Sequence, residues 1–367
     1  MLDSTGDIPR ARKGRGASIN VGNRYEATRS RPFDDGWDSI ADEMLAPPAV
    51  ATTLTRDASR TVISYNKSPD LGFDRAVNPY RGCEHGCVYC YARPSHAWLG
   101  LSPGLDFETQ LTFKPDVAEQ LERELAKPGY TPRAITLGSN TDPYQPVERT
   151  LGLTRAVLEV LDHTNHPVSI VTKSAGVLRD IPLLARMAER NLVRVWLSVT
   201  TLDNELARRM EPRAATPMRR LAAIADLRKA GIPVGVLTAP MIPGLNDAEL
   251  ERILQQAAGA GATYAGYVLL RLPLELQTIF ETWLHQHYPQ RARHVLNLIR
   301  DTREGALYDP RFGVRQTGTG AYADLLGQRF ANAVRKFGLR HEREKLETGL
   351  FRRPHVETVA DRQLALL

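Results

Sequence analysis

The sequence predicts an α/β protein built on a mostly parallel sheet. From about residue 70, short β-branched runs alternate with stretches of helical length, and turn residues separate the two. Strands alternating with helices of that length read as βαβ units. In chain order, strands are expected at residues 134–137, 168–172, 193–199, 234–238 and 264–269, and helices at 116–126, 153–162, 181–190, 217–230 and 247–259. Gly231-Ile232-Pro233 shows the punctuation at work. The glycine ends a helix in a left-handed conformation, the proline prevents its continuation, and Val234-Gly235-Val236-Leu237 resumes as strand. Asn246 or Asp247 then caps the next helix. Right-handed crossovers leave a barrel or an open doubly wound sheet as the ways to close this pattern.

Basic segments flank the alternating region. Residues 1–55 carry Arg10, Arg12, Lys13, Arg15, Arg24, Arg29 and Arg31 among glycines and read as a weakly ordered, solvated leader. The core domain is expected at 56–290. Residues 291–367 turn basic again and carry a glycine-rich stretch at 316–321, an amphipathic helix at 322–337 and a tail. The formal charge of +6 permits binding to a polyanion without requiring it. A hydrophobic share of 42% suits a buried core. No run approaches the ~18 consecutive apolar residues of a membrane span, and the first residues lack the apolar stretch of a secretory signal, so a cytoplasmic, non-membrane protein is expected.

The cysteines are the sharpest signal. There are three, Cys83, Cys87 and Cys90, all within eight residues of Asn78-Pro-Tyr-Arg-Gly-Cys-Glu-His-Gly-Cys-Val-Tyr-Cys90. An odd, tightly spaced set in a reducing compartment is a metal or redox site rather than a disulfide framework. Gly82 and Gly86 let the backbone turn around a compact object. A 4Fe–4S cluster held by three thiolates keeps one iron open to a ligand, whereas a structural cluster would be fully ligated. Zinc on three cysteines with His85 or His96 is the competing reading.

The Cys-x3-Cys-x2-Cys spacing, with Tyr89 before the third cysteine, resembles the signature of the radical S-adenosylmethionine (radical SAM) superfamily. Within it, Lys13-Gly-Arg-Gly-Ala17, Asn78-Pro-Tyr-Arg-Gly-Cys83 and Thr141-Asp-Pro-Tyr-Gln-Pro146 are similar to the spore photoproduct lyase-like group, in particular its uncharacterised bacterial branch. The resemblance implies a partial (β/α)6 TIM-like barrel, a 4Fe–4S cluster, S-adenosyl-L-methionine and an electron donor such as flavodoxin or ferredoxin. It implies reductive cleavage of the cofactor to a 5′-deoxyadenosyl radical in a lyase-like enzyme.

It also implies cofactor contacts. Tyr89 would lie near the adenine. Ser139, Asn140 and Asp142 fall where the family binds the methionyl amine, although the usual Gly-Gly-Glu is absent. Lys173 would meet the carboxylate, Ser198 the ribose, and Met241 and Ile242 the adenine. Spore photoproduct lyase returns hydrogen from a cysteine. Ser139 stands at the matching position, and its stronger O–H bond makes it a poor substitute.

A nucleic-acid substrate is expected from the group and the charge. The alternatives are a small-molecule or protein substrate, or a non-catalytic Fe–S protein that binds nucleic acid. Gln363-Leu-Ala-Leu-Leu367 resembles a peptide that docks on the bacterial sliding clamp. His285 and His287 are too poorly placed on a helix to chelate together and read as surface residues.

Overall fold

The computed structural model describes residues 11–25, 50–341 and 344–355. Its strands are β1 (Thr53–Arg56), β2 (Ile63–Tyr65), β3 (Arg75–Val77), β4 (Tyr80–Arg81), β5 (Gln110–Phe113), β6 (Ile135–Leu137), β7 (Val168–Thr172), β8 (Val193–Ser198), β9 (Val234–Met241) and β10 (Tyr264–Leu269). Seven form one sheet in the order β10-β9-β8-β7-β6-β3-β2, and β1, β5 and β4 form a small second sheet. The pairs from β3 through β10 are parallel, and β2 adds antiparallel to β3. The edge strands β2 and β10 do not pair with each other, so six parallel strands make an open, partial barrel, as the resemblance implies. All five expected strands are present, and β9 runs three residues further than its β-branched start suggests.

Period-two alternation sorts each strand into two faces. On β8, Val193, Val195 and Leu197 pack into the main core, whereas Arg194, Trp196 and Ser198 line the inner cavity. On β7, Val168 and Ile170 face the core and Ser169 and Val171 the cavity. The outer layer comprises helices Val117–Leu125, Leu153–His163, Ile181–Glu189, Pro217–Lys229 and Leu250–Gly259. Each presents apolar residues three and four apart, such as Leu221, Ile224 and Leu227, or Leu250, Ile253, Leu254 and Ala257. Burying each leucine or isoleucine of this kind contributes about 1.5–3 kcal/mol. Gly231 has φ +77°, the left-handed helix end expected of it. A 3-10 turn at Asp247–Glu249 precedes the fifth of these helices.

A second apolar core joins helices Leu276–His287 and Pro289–Asp301 to Ala17, Val88, Leu206 and Met210. Residues on both sides of 290 therefore pack in one layer. His285 and His287 are half-buried rather than on the surface, and the His287 ring lies 5.3 Å from that of Trp283. The leader differs from a solvated tail over residues 11–25, where backbone amides bind a buried carboxylate: Gly16 and Ala17 donate to Glu108 at 2.9 and 2.8 Å. The C-terminal peptide 363–367 lies outside the described residues. Among the described residues, no helix is long and apolar enough to cross a membrane.

The segment at 351–355 docks beside His166. Phe351 meets the His166 ring edge-on at 5.5 Å, and Tyr130 Oη lies 2.7 Å from His166 Nε2. Burial lowers the imidazole pKa to about 4. The folded protein thus keeps His166 neutral where the unfolded chain, with a pKa of about 6.5, already takes a proton. Stability is full above pH 6.5 and falls as pH drops from about 6.5 to about 4, by up to about 3 kcal/mol. Urea unfolding at pH 7.5 and 5.0 checks this, with much of the fall expected to disappear in His166→Gln.

Candidate functional site

The C-terminal ends of the parallel strands open into a cavity of about 1360 Å³. In parallel βα folds this is where ligands bind, because the strand-to-helix loops converge there. Cys83, Cys87 and Cys90 all line it, carried by the loop that follows β4. The loop is built from consecutive turns, with Gly86 N donating to Cys83 O at 3.3 Å and Cys90 N to Cys87 O at 3.2 Å.

Three sets of contacts fix this loop. Beneath it, the fully buried Arg93 donates to Cys87 O at 2.9 Å and Gly104 O at 2.8 Å, and pairs with the equally buried Glu108. Glu108 also accepts from Gly16 and Ala17, so the leader lies across the loop. A methyl group on Gly16 would overlap the Gly86 carbonyl oxygen, which explains why glycine occupies the position. To one side, Gln145 accepts from Glu84 N at 2.9 Å and donates to Gly82 O at 3.3 Å. Asn78 Oδ1 accepts from Asn140 N at 3.1 Å, and Asn78 Nδ2 donates to Ser139 Oγ at 3.1 Å. The Asn78–Cys83 and Thr141–Pro146 motifs are thus two halves of one clasp. On the far side, buried Glu211 accepts from Tyr89 Oη, from Thr200 Oγ1 at 2.6 Å and from Arg220, which fixes the Tyr89 ring. Burial raises the Glu211 pKa against the pull of Arg220.

Tyr89, Ser139, Asn140, Asp142, Lys173 and Ser198 all line the same cavity as the cysteines. Lys173 Nζ sits 5.7 Å from the Tyr89 ring centroid. Asp142 is engaged by the protein: Thr172 Oγ1 and Lys173 N each donate at 2.7 Å, and His85 Nδ1 lies 3.3 Å away. Burial would raise its pKa, but His85 and these donors hold it down to about 2. Asp142 therefore orients the end of β7, while Ser139 and Asn140 remain to meet a ligand. Ser198 Oγ donates to Ala239 O at 3.1 Å.

Met241 and Ile242 are placed differently from expectation. Both are fully buried in the apolar cores and neither lines the cavity. The register explains Met241. Between the Thr238–Tyr267 and Met241–Leu269 pairs, β9 carries one residue more than β10, a bulge at Ala239 and Pro240. It reverses the facing of later residues, so Ala239 and Pro240 line the cavity and Met241 turns to the core.

The donor set fits a 4Fe–4S cluster. Burial pushes the Cys83 and Cys87 thiols well above their usual pKa, so cationic metal is needed to hold them as thiolates. Among the described residues, no three His, Cys, Asp or Glu side chains gather as ligands of a single metal ion. Three thiols lining one cavity suit a polynuclear cluster. For the zinc reading, His85 lines the cavity with Nδ1 3.3 Å from Asp142 and His96 does not line it, and among the described residues neither forms a single-ion ligand set with the cysteines.

Comparison with known proteins agrees with this geometry. The model of the Radical SAM superfamily matches residues 77–257. An uncharacterized protein of Mycobacterium tuberculosis is 37% identical over 324 residues, covering 85% of this chain and 91% of that protein. A "Radical SAM Nalpha-GlyT isomerase" of Pseudomonas phage M6 is 22% identical over 239 residues, 64% of this chain and 48% of that protein. Spore photoproduct lyase complexed with dinucleoside spore photoproduct shares the fold at a TM-score of 0.55 and 18% identity, over 78% of this chain and 80% of that one. A double mutant of that lyase, with bound AdoMet and the same photoproduct, superposes at a TM-score of 0.51 and 15% identity over the same shares.

Two substitutions separate scaffold from ligand contacts. Met241→Ala is expected to cost about 2–5 kcal/mol of unfolding free energy as a core truncation. It should leave S-adenosylmethionine affinity nearly unchanged by isothermal calorimetry on reconstituted protein, whereas Lys173→Ala should weaken that affinity with little change in stability. Glu108→Ala strands the buried Arg93 and should cost about 3–5 kcal/mol in denaturant unfolding of the metal-free protein.

Proposed function

We propose that this chain, which belongs to the radical SAM superfamily, is an enzyme that holds a 4Fe–4S cluster on Cys83, Cys87 and Cys90 and cleaves S-adenosylmethionine in the cavity they line. The observation that carries the reading is the convergence of three thiols, two of them buried, a lysine with no carboxylate partner among the described residues, and the ends of six parallel strands on one space. When bound, the cluster supplies one electron to the cofactor sulfonium, giving methionine and a 5′-deoxyadenosyl radical that abstracts hydrogen from the substrate.

The chain's own residues orient and enclose. Lys173 offers its ammonium to the methionyl carboxylate. Ser139 and Asn140 offer hydroxyl and amide groups to the amine and carboxylate, and Ser198 faces the ribose. Ala239 and Pro240 give the adenine an apolar wall, with Tyr89 held by Glu211 opposite Lys173. Val171, Leu237 and Val268 keep much of the lumen apolar, which limits side reactions of a radical with water. A one-electron donor such as flavodoxin or ferredoxin would reduce the site.

The substrate reading is nucleic acid. It is supported by the net charge of +6, by the sequence motifs shared with the spore photoproduct lyase-like group and by a fold like that of spore photoproduct lyase. The chemistry at Ser139 argues against efficient thymine-dimer reversal, because no cysteine remains to return hydrogen.

Anaerobic reconstitution with iron and sulfide, followed by dithionite and S-adenosylmethionine, should yield 5′-deoxyadenosine. Replacing any one of the three cysteines by Ala should abolish it. Zinc instead of iron in anaerobically purified protein would sink the proposal. A synthetic dinucleoside spore photoproduct should be left largely unrepaired, and rapid clean reversal to thymines would contradict the role given to Ser139.

A further inference from the structure

The cavity holds more positive charge than the protein neutralises. Of its cations, Arg81 and Lys114 bind Asp57 at 2.8 and 3.0 Å, Arg315 binds Asp70 at 2.6 Å, and Arg133 binds Asp74 at 3.0 Å. Arg194 donates to the Glu344 carbonyl. Two partly buried cations lack any carboxylate or carbonyl partner among the described residues: Lys173, assigned above to the cofactor, and Arg271, two residues beyond β10.

Arg271 is the more unusual. Its Nε is buried without a hydrogen-bond partner, and its guanidinium lies 5.1 Å from the Tyr91 ring centroid. A buried donor left unmade is costly, so the site is arranged for an acceptor that arrives with a ligand. A guanidinium fork held on an aromatic face suits a phosphate oxyanion.

A second observation names the rest of that ligand. Trp98, which lines the same cavity, is 71% exposed, and Tyr91 is 48% exposed. The Tyr25 ring is tilted by 38° against that of Trp98 with centroids 4.9 Å apart, and the Arg24 guanidinium, paired with Glu275, lies 4.7 Å from the Tyr25 centroid. Exposed aromatic faces interleaved with guanidinium groups are how proteins hold unpaired bases and their backbone.

We propose that Arg271, seated on Tyr91, takes a backbone phosphate of single-stranded nucleic acid, with a base of the same strand stacked on Trp98 at the cavity mouth. The proposal rests on the radical-enzyme reading and assigns its substrate contacts.

The test uses the full-length, anaerobically reconstituted protein with fluorescein-labelled single-stranded DNA and RNA oligonucleotides, followed by anisotropy across a salt series. Wild type should bind with a salt-dependent affinity. Arg271→Met should bind about tenfold more weakly and lower the salt slope by about one. Arg271→Lys, which keeps the charge but not the fork, should fall between. Trp98→Leu should lose about tenfold in affinity together with the tryptophan quenching that base stacking causes.

Unchanged binding in Arg271→Met and Trp98→Leu, or no binding of either oligonucleotide by wild type, would overturn the inference while leaving cofactor cleavage standing. Loss of S-adenosylmethionine binding in Arg271→Met would place this side chain at the cofactor and also overturn it. Failure of the wild type to make 5′-deoxyadenosine would instead remove the radical-enzyme reading.

Discussion

Arg93 and Glu108 face each other with no exposure to water at all. Neither charge could be buried alone, and together they remain tolerable only because their other hydrogen-bonding positions are filled. Those positions are the Cys87 and Gly104 carbonyls on one partner and the Gly16 and Ala17 amides on the other. The requirement to satisfy one ion pair therefore dictates where the cysteine loop sits, how the leader crosses it and how the Asp106–Thr109 turn is placed. Short loops without regular structure seldom hold side chains to a fixed spacing. This one does so because a buried charge beneath it accepts few alternative arrangements.

Much of this was legible in the sequence, for identifiable reasons. The strands from β6 to β10 are short runs with clear flanks, most of them rich in β-branched residues, so pattern alone located them. The three cysteines and their spacing pointed to the radical SAM superfamily, whose model matches residues 77–257. β3 was not legible: it is three residues long, Arg75–Val77, and has no room to show a period. Of the expected leader, residues 11–25 are anchored mainly through backbone amides and glycine contacts, with only Ala17 and Val21 packed on an apolar core, which leaves little hydrophobic trace; residues 1–10 and 26–49 lie outside the described residues. Met241 was misplaced because a single-residue bulge inverts facing, and a bulge is set by pairing with β10 rather than by local composition. Glu211, Glu108, Asn78 and Gln145 looked like ordinary polar residues until their partners, distant in sequence, were in view.

The barrel interior is divided along its strands. Alternate residues of β7 and β8 give the lumen Ser169, Val171, Arg194, Trp196 and Ser198, while the opposite faces are almost entirely aliphatic. An aliphatic shell can thus surround an interior of mixed polarity without either disturbing the other. At the cysteine end, Asp142 is consumed in positioning β7, and Lys173 has no carboxylate partner among the described residues.

The leader's contacts reach far along the chain. Arg24 binds Glu275 at 2.7 Å, and Ser18 accepts from Gln286 at 2.9 Å, separations of 251 and 268 residues. Contacts that close loops of this size form slowly and only after both ends exist. In a growing chain, Arg24 and Ser18 must therefore wait until Glu275 and Gln286 have been made before these contacts can form. The amide contacts of Gly16 and Ala17 with Glu108 span only 92 and 91 residues, so the cover over the cysteine loop can form before the leader's outer contacts settle.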